Sequence, residues 1–187
     1  KKEFPLIFYR ENCADMAICE DDIDEDFIKS SRSLVVTGTH LSNNRTEAAL
    51  LKALSIAKNN LVRRVLDIDF RPNLWGLSGH NDGENRFIMS SKVTKKLQKY
   101  LDNFDLIVGT EEEFHIAGGS TKTMEALQNV RKITNAVLVC KRGPFGATCF
   151  SNTIPSEFSE GENGRKFEIE VFINIFWYFI HSVLFEI

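Results

Sequence analysis

Three short apolar runs in this chain are each followed by charged residues, and the third also by glycines. Asp67, Asp69 and Arg71 follow the first run, Glu111 to Glu113 follow the second, and Lys141 to Gly146 follow the third. Carboxylates can hold a cation that carries phosphate, and arginine can contact phosphate oxygens in a bidentate manner. Glycines let the backbone approach an anion closely. These residue types indicate a site for a phosphorylated ligand.

Each motif also has a simpler explanation. Asp69 and Arg71 can pair only with each other, in a turn that Pro72 fixes. Glutamates at the start of a helix are favoured by the helix dipole, and closely spaced glycines mostly mark ordinary hairpins. His40 lies at a strand end and can touch a ligand, but loop histidines that bond within the protein are commoner, and His115 is expected to support helix packing. Both kinds of explanation stay open on pattern alone.

Apolar periodicity predicts the elements that position these residues. Strands are predicted at 4–9, 34–37, 65–68, 106–108, 137–140 and 147–150, and helices at 45–60, 91–101 and 121–133. Alternating strands and helices predict a parallel α/β sheet flanked by helices with right-handed crossovers, and the turn after Cys140 predicts an antiparallel edge. Ligands bind at the carboxyl ends of such strands, which is where the polar motifs fall.

Composition limits the classes of function. The 187 residues are 43% hydrophobic, which suits one domain, and the net charge of -3 gives no general attraction to nucleic acid or to an acidic membrane. The four cysteines form no CxxC pair, which favours reduced, buried thiols in a cytoplasmic protein. The apolar run from Val171 to Phe185 is shorter than the roughly 20 residues that span a bilayer. We expect neither a nucleic-acid nor a membrane partner.

The motifs and their surroundings resemble the ribokinase-like (PfkB-type) carbohydrate kinases. Three phrases carry the resemblance, which covers Phe4 to Phe150: LDIDFRPNLWG at 66–76, VGTEEEF at 108–114 and KRGPFG at 141–146. The likeness is greatest to the branch that phosphorylates 5-dehydro-2-deoxy-D-gluconate in myo-inositol catabolism. It implies an ATP-dependent phosphotransferase with ATP and Mg²⁺ as cofactors and a small sugar acid as substrate.

The resemblance also implies roles for individual residues on the substrate side and the nucleotide side. Arg10 and Arg71 would contact the sugar acid. Asp67 and Asp69 would line the cleft near the phosphates, although the family commonly has asparagine where Asp69 stands. The nucleotide would be bound by Lys141, Gly143 and Gly146.

A further implied role concerns magnesium. The family carries an asparagine followed three residues later by a glutamate that organises magnesium through water. Thr110 and Glu113 occupy those two positions. Magnesium keeps several waters and needs only one or two carboxylates, so Glu113 alone suffices. Glu111 and Glu112 are then expected to be solvated.

The late part of the family pattern is not found in the sequence. Relatives have a Gly-Ala-Gly-Asp loop whose amides hold the transferred phosphoryl group and whose aspartate accepts the hydroxyl proton. Here the last aspartate is Asp105 and no glycine follows Gly164. The resemblance therefore implies a partial kinase domain over 1–172, a divergent apolar tail over 173–187, and a fold that is incomplete at both ends. We expect the chain alone to be inactive.

Two other functions stay open. One is a kinase for another keto-deoxy sugar acid or for fructose. The other is a noncatalytic remnant that binds nucleotide weakly or associates with a partner through its apolar tail. A homo-oligomer is compatible with each of these functions.

Overall fold

The computed structural model describes residues 13–78 and 87–158, together with the backbone of 165–167. The strand predicted at 4–9, the substrate contact predicted for Arg10 and the tail predicted at 173–187 lie outside the described residues.

The described residues form one six-stranded sheet whose strands lie side by side in the order of the sequence. The first four strands are parallel, and the last two are antiparallel to their neighbours. The strands are β1 (Ser33–Thr37), β2 (Arg63–Asp67), β3 (Leu106–Thr110), β4 (Val137–Lys141), β5 (Ala147–Phe150) and β6 (Arg165–Phe167). This arrangement confirms the predicted parallel α/β sheet with an antiparallel edge.

Five α-helices accompany the sheet within the part of the chain that the structure describes. They are α1 (Glu25–Ser30), α2 (Asn44–Asn59), α3 (Ser91–Gln98), α4 (Glu111–Gly118) and α5 (Thr123–Arg131). Side-chain caps fix the starts of α1 to α4: for example, Asn43 accepts from the Arg45 amide and Ser90 accepts from the Val93 amide. The three predicted helices are confirmed to within a few residues; the second ends at Gln98, and a 3₁₀ turn follows at Leu101–Asn103.

Apolar side chains pack on both faces of the sheet, because successive strand residues point to opposite sides. The larger core joins one face to helices α2 to α5 and includes Leu66, Ile107 and Leu138. On the other face lies a separate cluster of four buried strand residues: Val65, Leu106, Val108 and Val139. A parallel sheet with strands in sequence order and right-handed crossovers carries its crossover helices on one face.

The composition predicted reduced, buried thiols. All four cysteines are free thiols, but only Cys140 is fully buried. Burial raises the pKa of the Cys140 thiol far above its usual range, so this group is unreactive.

Among the described helices, none has the length and apolar character to cross a membrane.

Candidate functional site

The carboxyl ends of β2, β3 and β4 bring three of the predicted site residues to one face of the sheet. Thr110 is the register partner of Lys141, and Asp67 is the register partner of Val108, two residues before Thr110. All three side chains therefore lie on the face opposite to helices α2 to α5. The Lys141 ammonium reaches past β3 and lies 3.4 Å from Oδ1 of Asp67. The ion pair thus links the end of β4 to the end of β2 across the intervening strand β3.

Glu113 is a buried carboxylate beside this ion pair. Its Oε2 accepts from the Thr110 amide at 2.7 Å, and its Oε1 accepts from the Phe70 amide at 3.3 Å. The Thr110 hydroxyl accepts in turn from the Glu113 amide at 3.2 Å, which completes a capping box at the start of α4. Glu113 thus ties the loop after β2 to the first turn of α4.

The electrostatics of Glu113 set its protonation. Burial is the largest effect and raises the pKa of Glu113 above its ordinary value of 4.5. The hydrogen bond from the Thr110 amide and the positive charge of Lys141 act in the opposite direction, while Asp67 and Asp69 raise the pKa further. The carboxylates of Asp67, Asp69 and Glu113 therefore share one region in which Lys141 supplies positive charge.

The predicted magnesium site has a limited set of donors. Within the described residues, no three side chains of His, Cys, Asp or Glu come together as direct ligands of a metal ion. Each Glu113 oxygen accepts one backbone hydrogen bond, and a carboxylate oxygen has a second acceptor position left. The residues fit a cation held through water, but not a cluster of directly coordinating carboxylates. The magnesium roles of Glu113 and Thr110 stay predictions.

The loop after β2 contains the other predicted cleft residues. Arg71 Nη2 lies 2.6 Å from Oδ1 of Asp69, so these two residues pair with each other, as the simpler explanation held. Asp69 has a φ of 35°, a left-handed conformation that non-glycine residues rarely adopt. The side chain of Arg71 is 38% exposed and can still reach a ligand. The substrate role of Arg71 and the cleft role of Asp69 stay predictions.

The turn between β4 and β5 carries the predicted nucleotide-binding residues. Gly143 and Gly146 have φ values of 54° and 82°, and residues 143–145 form a single 3₁₀ turn. Apart from Gly143 itself and its two chain neighbours, no atom lies within 4 Å of the position that a Cβ at residue 143 would take. Glycine is therefore suited to position 143 by its backbone conformation rather than by lack of space. The roles of Lys141, Gly143 and Gly146 in nucleotide binding stay predictions.

In this region the sequence-based expectation was wrong for Glu111 and assigned no role to Arg142. Glu111 was expected to be solvated, and this was wrong, because Arg142 Nε lies 3.2 Å from Glu111 Oε1 and the Thr123 hydroxyl donates to Glu111 Oε2 at 2.9 Å. Arg142 was not predicted to have a role. Glu112 is exposed, as expected.

The two candidate histidines make contacts within the protein. His115 Nε2 lies 2.9 Å from the Thr123 hydroxyl, and burial lowers the pKa of His115. Because the Thr123 proton points to Glu111, neutral His115 donates from Nε2 to the Thr123 oxygen. His40 Nδ1 lies 3.3 Å from the Thr37 hydroxyl at the end of β1. The spacing of Glu111 and His115, one helical turn apart, was the available sequence signal for this network.

No family model matches the chain, but comparisons with known proteins find similar sequences and similar structures. A 5-dehydro-2-deoxygluconokinase from Bacillus licheniformis is 28% identical over 156 residues, which are 81% of this chain and 44% of that protein. The chain thus spans less than half the length of this curated relative.

Solved structures show the fold. A PfkB protein from Polaromonas sp. JS666 has a TM-score of 0.67 at 19% identity, over 96% of this chain and 55% of that one. A putative ribokinase II from E. coli, solved in complex with ATP and Mg²⁺, has a TM-score of 0.62 at 20% identity, over 78% of this chain and 43% of that one. The chain therefore has a ribokinase-like fold and is similar in sequence to part of a 5-dehydro-2-deoxygluconokinase.

Proposed function

We propose that the chain is part of an ATP-dependent kinase that transfers the γ-phosphoryl group of ATP to a primary hydroxyl of 5-dehydro-2-deoxy-D-gluconate. The observation that carries the proposal is the convergence of Lys141, Asp67 and Glu113 from three regions of the chain at the carboxyl edge of the sheet. Support for the substrate comes from the relative of that name, and support for the cofactors comes from the neighbour that binds ATP and Mg²⁺.

Each residue has a stated task in this proposal. The Lys141 ammonium leaves Asp67 and binds phosphate oxygens, while the turn at Gly143 presents backbone amides to them. Glu113 holds the cation through water, and bound Mg²⁺ neutralises negative charge on the phosphates. Arg71, held beside the cleft by Asp69, contacts the acidic sugar.

Transfer needs groups that this chain does not supply in the family's usual place. The family's base is an aspartate in a glycine-rich loop, whereas the last aspartate here is Asp105. Loss of a general base lowers a rate by roughly 10²- to 10⁴-fold, and loss of the amides that hold the transferred group lowers it by a similar factor. We therefore propose that the 187-residue chain alone binds magnesium-ATP but does not turn over.

Calorimetric titration with magnesium-ATP tests the binding step. We expect weak, saturable binding that is lost in Lys141→Met. Lys95→Met is the matched control, because Lys95 is an exposed lysine on α3, away from the cleft, and its replacement should leave the heats unchanged. Equal heats from the chain and from Lys141→Met would refute the assigned phosphate site.

A coupled assay for ADP release tests the transfer step, with 5-dehydro-2-deoxy-D-gluconate as substrate. We expect no turnover above background from the chain alone. Turnover at roughly 1 per second or faster, an ordinary kinase rate, would contradict the proposed lack of catalysis.

A further inference from the structure

We infer that Glu111 and Arg142 are positioning residues that hold the β4–β5 turn in the conformation in which Lys141 and Gly143 face the cleft. The inference rests on the proposed function only for the identity of the ligand. The contact between these two side chains is called the Glu111–Arg142 clamp below.

The clamp joins the two chain segments that carry the candidate nucleotide site. Glu111 directly follows Thr110, the last residue of β3, and Arg142 directly follows Lys141, the last residue of β4. Thr110 and Lys141 are register partners. Since successive residues at a strand end point to opposite sides, Lys141 reaches Asp67 on one face while Arg142 reaches Glu111 on the other. The end of β4 thus supplies Lys141, which faces the cleft, and the next residue, Arg142, anchors the segment on the opposite face.

Several contacts fix the clamp on the helix side of the sheet. The Thr123 hydroxyl at the start of α5 donates to Glu111 at 2.9 Å, and His115 lies 2.9 Å from the same hydroxyl. The guanidinium carbon of Arg142 lies 3.6 Å from the ring centre of Phe158. A cation over an aromatic ring is attracted by the π system. Arg142 is therefore held both by charge and by stacking.

The turn itself has few other restraints. Its two glycines have the widest backbone freedom of any residue type, and within the turn the hydrogen bonds are Arg142 amide to Gly146 carbonyl, Phe145 amide to Arg142 carbonyl and Gly146 amide to Gly143 carbonyl. Phe145 at the tip is 67% exposed. The anchor on Arg142 therefore adds a side-chain restraint to a turn that is otherwise held by these backbone hydrogen bonds.

Amide hydrogen exchange tests the clamp without a ligand. In Glu111→Gln and Arg142→Met we expect the amides of Phe145 and Gly146 to exchange faster by roughly three- to tenfold, the size expected for a partly exposed ion pair with a supporting hydrogen bond. Amides in β1 and β2 should be unaffected. Glu112→Gln is the control, because Glu112 is the exposed neighbour with the same chemistry.

The double variant separates a joint role from two independent ones. If the residues act as one unit, Glu111→Gln with Arg142→Met exchanges no faster than the more affected single variant. Additive effects, or exchange no faster than in Glu112→Gln, would overturn the clamp.

A magnesium-ATP titration then tests the link to the ligand. We expect each single variant to bind more weakly by about the same factor by which exchange rises, while the free energy of global unfolding falls by no more than the change in free energy that this factor represents. Unchanged affinity together with faster exchange would overturn the positioning role. If the unaltered chain does not bind magnesium-ATP, the proposed function fails, and the exchange result still decides whether the clamp holds the turn.

Discussion

Replacing Glu113 should destabilise the fold, because its carboxylate accepts from two backbone amides. Glu113→Ala leaves the amides of Phe70 and Thr110 without their acceptor and opens the capping box of α4. An unsatisfied buried amide costs about 1–3 kcal/mol. Two amides lose their acceptor, but removal of the buried charge offsets part of this cost, so we expect the free energy of unfolding to fall by about 2–5 kcal/mol. Glu113→Gln keeps one acceptor oxygen and should lose about 1–2 kcal/mol.

The pH dependence of this loss follows from the raised pKa of Glu113. Between its unfolded value of about 4.5 and its higher folded value, the folded protein binds more protons than the unfolded chain. The free energy of unfolding contributed by Glu113 therefore falls as the pH rises through that window. Glu113→Gln lacks this titration, so the stability gap between the unaltered chain and Glu113→Gln should widen as the pH is lowered from 7 to 5.

Urea unfolding followed by far-ultraviolet circular dichroism measures these differences, with Glu112→Gln as the control for an exposed glutamate on the same helix. The slope of the free energy against urea should be the same in all variants. If Glu113→Ala unfolds at the same urea concentration as Glu112→Gln, the carboxylate does not hold the two amides, and the reasoning is wrong.

Two more predictions concern positions away from the cleft. Leu61 is 94% exposed with a φ of 58°, so Leu61→Gly should raise the free energy of unfolding by about 0.5–1 kcal/mol in thermal melts, whereas Leu61→Ala, which keeps the strain, should not. Burial raises the pKa of Glu47, but hydrogen bonds from Lys96 and Tyr100 outweigh it and hold the pKa below 4.5. The stability lost in Glu47→Gln should therefore be greatest above pH 4.5 and shrink as the pH falls through the folded pKa; a loss independent of pH would contradict this.

Most of the sheet and its main helices were predictable because their sequence periodicity matches their burial. In α2 the apolar residues recur at three and four, and Ala49, Ala53 and Ala57 are buried as that spacing requires. The helix α1 was not predicted, since its six residues bury only Ile28 and otherwise carry charge and exposed surface. One buried side chain gives no period to detect.

The candidate site was predictable in location but not in its pairings. The rule that ligands bind at the carboxyl ends of parallel strands was enough to group Asp67, Thr110 and Lys141. The contact between Glu111 and Arg142 joins residues 31 positions apart, and it depends on the register of β3 and β4 and on the way the turn bends. Neither the register nor the bend can be inferred from charge spacing along the chain.

The sequential order of the strands has a consequence for how the chain folds. Among the six described strands, each one after β1 pairs with the described strand that precedes it in the sequence, so none of these pairings has to wait for a distant segment. Closing the loop between two neighbouring strands costs entropy that grows only slowly with loop length. During synthesis from the amino terminus, β1 and β2 can therefore pair before β4 has been made, and each of the strands β3 to β6 meets an edge that already exists.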